Sequence, residues 1–215
     1  MSRITLYHAP QTRSSGAMVL VEELGADVDV VVLDMKAGEN RAPAFLAVNP
    51  LGKVPALLDG DALVTEQVAV FLFLADRFPQ AGLAPAVGDP LRGPYLRWMA
   101  FYGSSFEPAC VDRAMKREPG PAAMSPYGDF DTVVKAVTDQ LARGPWMLGN
   151  RFTALDVLWG NALGWLTMFG IVEATPVVAA YVERVASRPA SRKVREEDAA
   201  RAAAQAAKRD GASPA

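Results

Sequence analysis

A chain of 215 residues that is 51% hydrophobic and 21% charged, with a formal net charge of −2, has the composition of a folded protein long enough for one domain or two small ones. The near-neutral balance excludes a nucleic-acid binder working through a basic field, and no uninterrupted apolar run approaches the ~20 residues that span a bilayer. One cysteine, Cys110, and one histidine, His8, exclude an intrachain disulfide and leave too little for a His/Cys metal site, so no metal is expected.

The chain opens on "RITLY", residues 3 to 7, an alternating β-rich run with no apolar leader before it, which reads as an intracellular protein. The polar loop "HAPQTRSS" follows, and then Ala17, Leu20, Val21 and Leu24 recur at helical spacing before Gly25 stops the pattern. "VDVVVLD" supplies a second strand, and "APAFLAVNP" a short helix ended by Asn49-Pro50. A βαβα order of this kind favours parallel strands joined by a right-handed crossover.

The rhythm changes at "VPALLDGDALVTE", where two short apolar runs flank Asp59-Gly60, a hairpin signal that predicts antiparallel pairing. "EQVAVFLFLADRF" then reads as a helix apolar on nearly every side. Residues 1–78 thus form a βαβαββα unit, and the Pro- and Gly-rich stretch 79–90 reads as a linker.

Beyond it the patterns are helical only, which predicts an all-α domain over residues 91–208 and a frayed tail over 209–215. Leu91, Tyr95, Trp98 and Tyr102 mark one face of a long helix that Pro108 should end or kink. Further helices are predicted at roughly 127–143, 153–169, 176–187 and 189–208. Thr153 and Asp156 have the spacing of a capping box with Phe152 and Val157 at the staple positions, and both are assigned to folding. Leu155, Leu158, Trp159, Ala162, Leu166 and Phe169 make the expected buried stripe of that helix, and the Ala-rich charged stretch near the end demands no function.

Three stretches carry a resemblance: "LYHAPQTRSSGAMVLVEELG", "FLAVNPLGKVPALLDGDALVTEQVAVFLFLADRF" and "WMLGNRFTALDVLWG". In this order, across a Pro- and Gly-rich linker, the chain resembles the cytosolic glutathione transferases. The resemblance implies a thioredoxin-like first domain, an all-helical second domain and a cytoplasmic homodimer with glutathione as cosubstrate.

It also implies a site. Val54-Pro55 matches the family's cis X-Pro element, whose preceding residue offers its backbone to the cysteinyl part of glutathione. Glu66 and Gln67 match the start of the third helix, where an acid takes the γ-glutamyl ammonium and the helix N-terminus takes the carboxylate. Most relatives have serine where Gln67 stands. Lys53 reaches the glycyl carboxylate in this reading, with a solvated turn lysine as its alternative. Ser14, at the start of the first helix, is the hydroxyl expected to donate to the sulfur, or an N-cap, or both. Thr12, Ser15 and Tyr7 are the other hydroxyls open to that role, and Arg13 adds positive potential.

The loop has no cysteine, which turns the reading from thiol-disulfide exchange toward conjugation, with Cys110 a buried small hydrophobe. Tyr102 and Ser105 are the expected contacts of a small apolar electrophile, although most aromatics of that helix fit a core equally well. The rival functions are a non-catalytic binding or interaction module on the same fold, and a glutathione-dependent isomerase or peroxidase.

Overall fold

The computed structural model describes residues 3–118 and 120–211. They form two compact units: the first runs to Ala81 and is completed by the chain from Pro189 onward, and the second is Gly82–Arg188.

The first unit is built on a sheet in the order β2-β1-β3-β4. Strand β1 (Ile4–His8) pairs in parallel with β2 (Asp29–Val32) and antiparallel with β3 (Ala56–Asp59), and β3 pairs antiparallel with β4 (Ala62–Val64). The Asp59-Gly60 turn joins the antiparallel pair, as the hairpin signal predicts. Helix α1 (Ser14–Leu24) stops at Gly25, whose φ of 59° lets Ala26 N–H reach back to Val21 O at 3.1 Å in a glycine-terminated cap. A short α2 (Pro43–Leu46) precedes the hairpin and α3 (Gln67–Arg77) follows it. Leu6 and Leu57 of the sheet, Leu20 of α1 and Phe71 and Leu74 of α3 are all fully buried, so the central strands and these two helices make one core.

The last helix, α9 (Pro189–Gly211), packs against α1 and belongs to this first unit. That differs from the expected all-α domain over 91–208, and α9 also runs through residues 209–211 of the expected tail; residues 212–215 lie outside the described residues. The reason is a stripe that a hydrophobic pattern does not reveal. Ser191, Val194 and Asp198 are buried, along the same face Gln205 donates to Leu33 O at 3.3 Å and Arg209 pairs with Asp34, and from the exposed flank of the helix Lys193 meets Glu22 at 2.6 Å. Burial opposes ionisation of Asp34, but the Arg209 guanidinium and two backbone N–H donors hold its carboxyl below the usual range.

The second unit is helical: α4 (Arg92–Phe101), α5 (Glu107–Ala114), α6 (Phe130–Leu141), α7 (Ala154–Met168) and α8 (Pro176–Ala186). Between α4 and α5 the backbone takes a π turn over Tyr102–Phe106, and Pro108 then lies in the first turn of α5. A proline lacks the N–H of a mid-helix residue and its ring meets the carbonyl four residues earlier; widening the preceding turn lets the chain stay helical. Trp159 is the centre of the core, with Phe106 at 4.7 Å, Tyr102 at 5.4 Å and Trp98 at 5.9 Å between ring centroids.

The capping box is present at the start of α7. The Asp156 carboxylate accepts Thr153 N–H at 2.9 Å, Met147 N–H at 2.8 Å and the Tyr181 hydroxyl at 2.9 Å. Gly160 lies so close to α8 that a Cβ there would sit 2.5 Å from Val185. The buried stripe of α7 is shorter than predicted: Ala162 and Leu166 are half-buried and Phe169 is exposed.

Candidate active site

The expected site residues of the first unit fall at three chain crossings: the loop from β1 to α1, the turn before β3, and the start of α3.

In the turn, the Val54–Pro55 bond is cis, as the resemblance implies. Asn49 is buried and clamps the turn from both ends, donating its side-chain amide to Lys53 O at 2.8 Å and accepting Leu51 N–H at 3.1 Å. Buried Asn40 donates to Gly52 O at 3.0 Å. Gly52 has a φ of 62°, and a Cβ would stand 2.7 Å from the Asn40 carbonyl, so only glycine closes this turn without moving it. The result fixes Lys53, which is exposed, and Val54, which is half-buried. Among the described residues no hydrogen-bond partner meets the Val54 backbone N–H or C=O, although the next residues pair in β3. That backbone is an unused length of strand edge.

At the start of α3, Glu66 occupies the N-cap position with φ 65° and ψ 120° and makes no side-chain cap bond. A left-handed backbone at a glutamate costs on the order of 1–3 kcal/mol, and such strain clusters at binding sites. The Glu66 side chain is exposed and makes no cap bond to the first N–H groups of α3, so a negative group is favoured in front of the helix start. Gln67 turns instead toward the loop: its amide donates to Arg13 O at 3.2 Å, tying the start of α3 to the start of α1.

The loop itself is a hydroxyl cluster. Arg13, exposed, stands at the N-cap of α1, and no side-chain cap bond forms there, so Ser14 is the first helical residue and not the N-cap. The Ser14 hydroxyl is fully buried: it lies 2.8 Å from His8 Nδ1 and 2.8 Å from Thr12 Oγ1, accepts Ala9 N–H at 3.0 Å and lies 3.1 Å from Ala9 O. That is not the position expected of a residue that meets a thiol itself. Ser15 donates to Asp198 at 2.5 Å, and Tyr7 packs its ring against Phe45 at 5.2 Å. Thr12 is half-buried, its hydroxyl 2.8 Å from Ala9 O. Of the candidate hydroxyls in the loop, Thr12 combines access with a link to Ser14.

His8 and Asp198 are the residues that sequence reasoning missed. His8 Nε2 lies 2.9 Å from Asp198 Oδ1, both side chains being buried, and Asp198 Oδ2 also accepts Gln11 N–H at 3.2 Å. Burial alone would raise the Asp198 pKa, but the bonds from His8, Ser15 and Gln11 hold it below the usual carboxylate range. The available signal was the lone histidine beside the loop; its partner, 190 positions away, left none.

In the second unit Tyr102 is a core side chain, only 4% exposed, and Ser105 is half-buried on the π turn. Cys110 is buried and its thiol is pushed up to about 12 by burial, aided by Glu107, so it stays a neutral apolar filler. Among the described residues no cluster of metal-ligating side chains occurs, and no helix is long and apolar enough to cross a membrane.

Known proteins match this arrangement over nearly their whole length. The family model for the glutathione S-transferase N-terminal domain matches residues 2–76. The solved glutathione S-transferase of a sphingomonad, complexed with glutathione, is 32% identical with a TM-score of 0.75, covering 91% of this chain and 98% of that one. The chain belongs to the glutathione S-transferase family. A glutathione transferase from Methylococcus capsulatus strain Bath is 30% identical, with a TM-score of 0.77 over 91% of this chain and 98% of that one. Glutathione S-transferase GstA of Escherichia coli O157:H7 is 28% identical over 187 residues, 86% of this chain and 93% of the relative. Membership brings the thioredoxin-like first domain, the helical second domain and a transferase-like use of glutathione.

Proposed function

We propose that the first unit binds reduced glutathione as an added length of strand and holds its sulfur as thiolate for attack on a small apolar electrophile. The observation that carries this is the start of α3, where an exposed glutamate is held at positive φ before N–H groups to which its own side chain makes no cap bond. Those groups suit the γ-glutamyl carboxylate, and Glu66 suits the ammonium beside it. Gln67 has its amide on Arg13 O, so its part is to hold the loop near that end, with Arg13 lending positive potential. The open Val54 backbone before Pro55 suits the cysteinyl peptide groups, and exposed Lys53 the glycyl carboxylate.

For the sulfur, Thr12 replaces Ser14 as the proposed donor. A free thiol has a pKa near ~8.5, so at neutral pH only a few per cent is thiolate; a hydroxyl aimed at the sulfur and a nearby helix N-terminus lower that value. Ser14 supports Thr12 from behind. Ser105, half-buried, stays the second unit's proposed contact for a small apolar molecule, with buried Tyr102 at the start of the same π turn. The resemblance further suggests a homodimer in the cytoplasm, which sedimentation and fractionation check.

Glutathione titration combined with an electrophile panel tests the reading. Saturable binding with conjugate formation, reduced in Thr12→Val, is the expected result. Binding without turnover on any electrophile would leave a non-catalytic glutathione-binding module, and turnover of peroxides alone would make the protein a peroxidase.

A further inference from the structure

Four side chains form a continuous chain of hydrogen bonds from the half-buried edge of the loop into the interior. Thr12 Oγ1 is 2.8 Å from Ser14 Oγ, Ser14 Oγ is 2.8 Å from His8 Nδ1, and His8 Nε2 is 2.9 Å from Asp198 Oδ1. The order is that of a hydroxyl–imidazole–carboxylate relay, with its serine enclosed and a second hydroxyl at the accessible end. Nothing in the proposed binding of glutathione requires a buried histidine, and it is the only histidine in the chain.

The contacts of His8 set the direction at the inner end of the relay; at the outer end the Thr12 hydroxyl has both Ala9 O and Ser14 Oγ at 2.8 Å, and it turns to Ser14 as the proton passes. A carboxylate only accepts, so His8 Nε2 carries the hydrogen that faces Asp198, and in the neutral ring Nδ1 is the acceptor for the Ser14 O–H. Ser14 Oγ meanwhile accepts Ala9 N–H. Arg201 Nη1 lies 3.4 Å from Asp198 Oδ1, and its guanidinium also meets Glu197 at 3.0 Å. These are the charged groups that α9 brings to the network. Helix α1 brings the hydroxyls of Ser14 and Ser15, and the β2 residue paired with His8 is Val32.

We propose that His8 receives the proton of the glutathione thiol through Thr12 and Ser14 and keeps it inside the protein as an imidazolium beside Asp198. The step rests on the glutathione reading above and balances without any other reactant. The S–H bond breaks and its proton goes to Thr12 Oγ1; the Thr12 proton passes to Ser14 Oγ, and the Ser14 proton forms the Nδ1–H bond of His8. The sulfur keeps the electron pair, and each hydroxyl ends with one hydrogen, now pointing outward. His8 Nδ1–H then donates to Ser14, Ser14 to Thr12, and Thr12 to the thiolate. One neutral thiol and one neutral imidazole become a thiolate and an imidazolium, with the Asp198 carboxylate compensating the new buried positive charge.

Because the chain has a single histidine, selective nitrogen-15 labelling of histidine gives one pair of ring-nitrogen resonances, assignable without a variant. The experiment follows those resonances and the thiolate ultraviolet absorbance together as reduced glutathione is added at neutral pH, with S-methylglutathione, which has no thiol proton, as control. The expected result is that the His8 ring nitrogens move from the neutral to the imidazolium pattern in step with thiolate formation and stay neutral with S-methylglutathione. A weakly buffered solution containing a pH indicator should then show far less than one proton released per thiolate formed. His8→Gln, whose amide can bond to neighbours but cannot take the proton, should release a proton for each thiolate it still forms. A ring that stays neutral while thiolate appears, or wild-type protein that releases one proton per thiolate, overturns the relay and leaves the binding proposal standing. Absence of binding or of thiolate absorbance overturns both.

Discussion

The starts of α7 and α3 are the same structural problem solved in opposite ways. Each helix begins with N–H groups that have no partner within the helix. At α7 the chain supplies a capping box, in which the Thr153 side chain takes Asp156 N–H and the Asp156 carboxylate takes Thr153 N–H, and that buried carboxylate also collects Met147 N–H and the Tyr181 hydroxyl. At α3 it supplies Glu66, exposed, at a φ of 65° and without a side-chain cap bond. A helix start closed by its own chain is a folding device, whereas one left open under backbone strain is a place for a ligand. The difference predicts that damage at α7 appears in stability and damage at α3 in binding.

The largest effect should come from Asp156→Ala. It removes an acceptor from the buried donors Thr153 N–H, Met147 N–H, the Tyr181 hydroxyl and, at 3.3 Å, the Thr153 hydroxyl, each worth roughly 1–3 kcal/mol when stranded. A loss of about 3 kcal/mol or more is expected in chemical denaturation; a loss below about 1 kcal/mol would dissolve the contrast at its α7 end.

A pH effect of similar size follows from the same carboxyl. Burial raises the Asp156 pKa from 3.8 to about 6 against the pull of its hydrogen bonds. The folded value lies above the unfolded one, so the proton favours the folded state. This contribution is complete below the unfolded pKa and is lost as pH rises through the folded pKa. Over the whole titration, from well below pH 4 to well above pH 6, the wild type should therefore lose roughly 3 kcal/mol through this group, a slope that Asp156→Asn should flatten. The slope, not the absolute stability, is the readout, because the amide also loses an acceptor oxygen.

Glu66→Ala should behave in the reverse manner. With an exposed carboxylate removed, stability should change by less than about 0.5 kcal/mol. Glutathione affinity should fall by about 2 kcal/mol through the lost charged hydrogen bond to the ammonium. Unchanged affinity would remove Glu66 from the site.

Smaller effects sharpen the α3 side. Thr12→Val should lower turnover about tenfold, near 1.4 kcal/mol in the transition state, with less effect on affinity. Equal turnover would return the role to Ser15 or Tyr7. Lys53→Ala should weaken binding by at most about 1 kcal/mol, and less as salt is raised, since Lys53 is exposed.

The sequence was informative where the physics is local. Apolar alternation and the Asp59-Gly60 turn identify the strands, and the Thr153/Asp156 spacing identifies the cap of α7. It misleads where distant polar groups meet. Helix α9 reads as one more helix of the second domain because the face it buries includes Ser191 and Asp198, and its pairing with α1 rests on contacts such as Lys193 with Glu22. Ser14 looks like the accessible hydroxyl because position in a loop does not reveal that His8 and Ala9 enclose it. The long helix of Trp98 and Tyr102 is legible, but the π turn that reconciles it with Pro108 is a backbone adjustment without a residue signature.

The proposed glutathione site of the first unit is organised around the open start of α3. Calorimetric titration of wild-type protein and of Glu66→Ala with reduced glutathione, beside their denaturation curves, tests it most directly. Saturable binding to the wild type, affinity weaker by tenfold or more in Glu66→Ala, and superimposable denaturation are expected. No saturable heat at millimolar glutathione, or a variant that binds as the wild type does, would contradict the proposal.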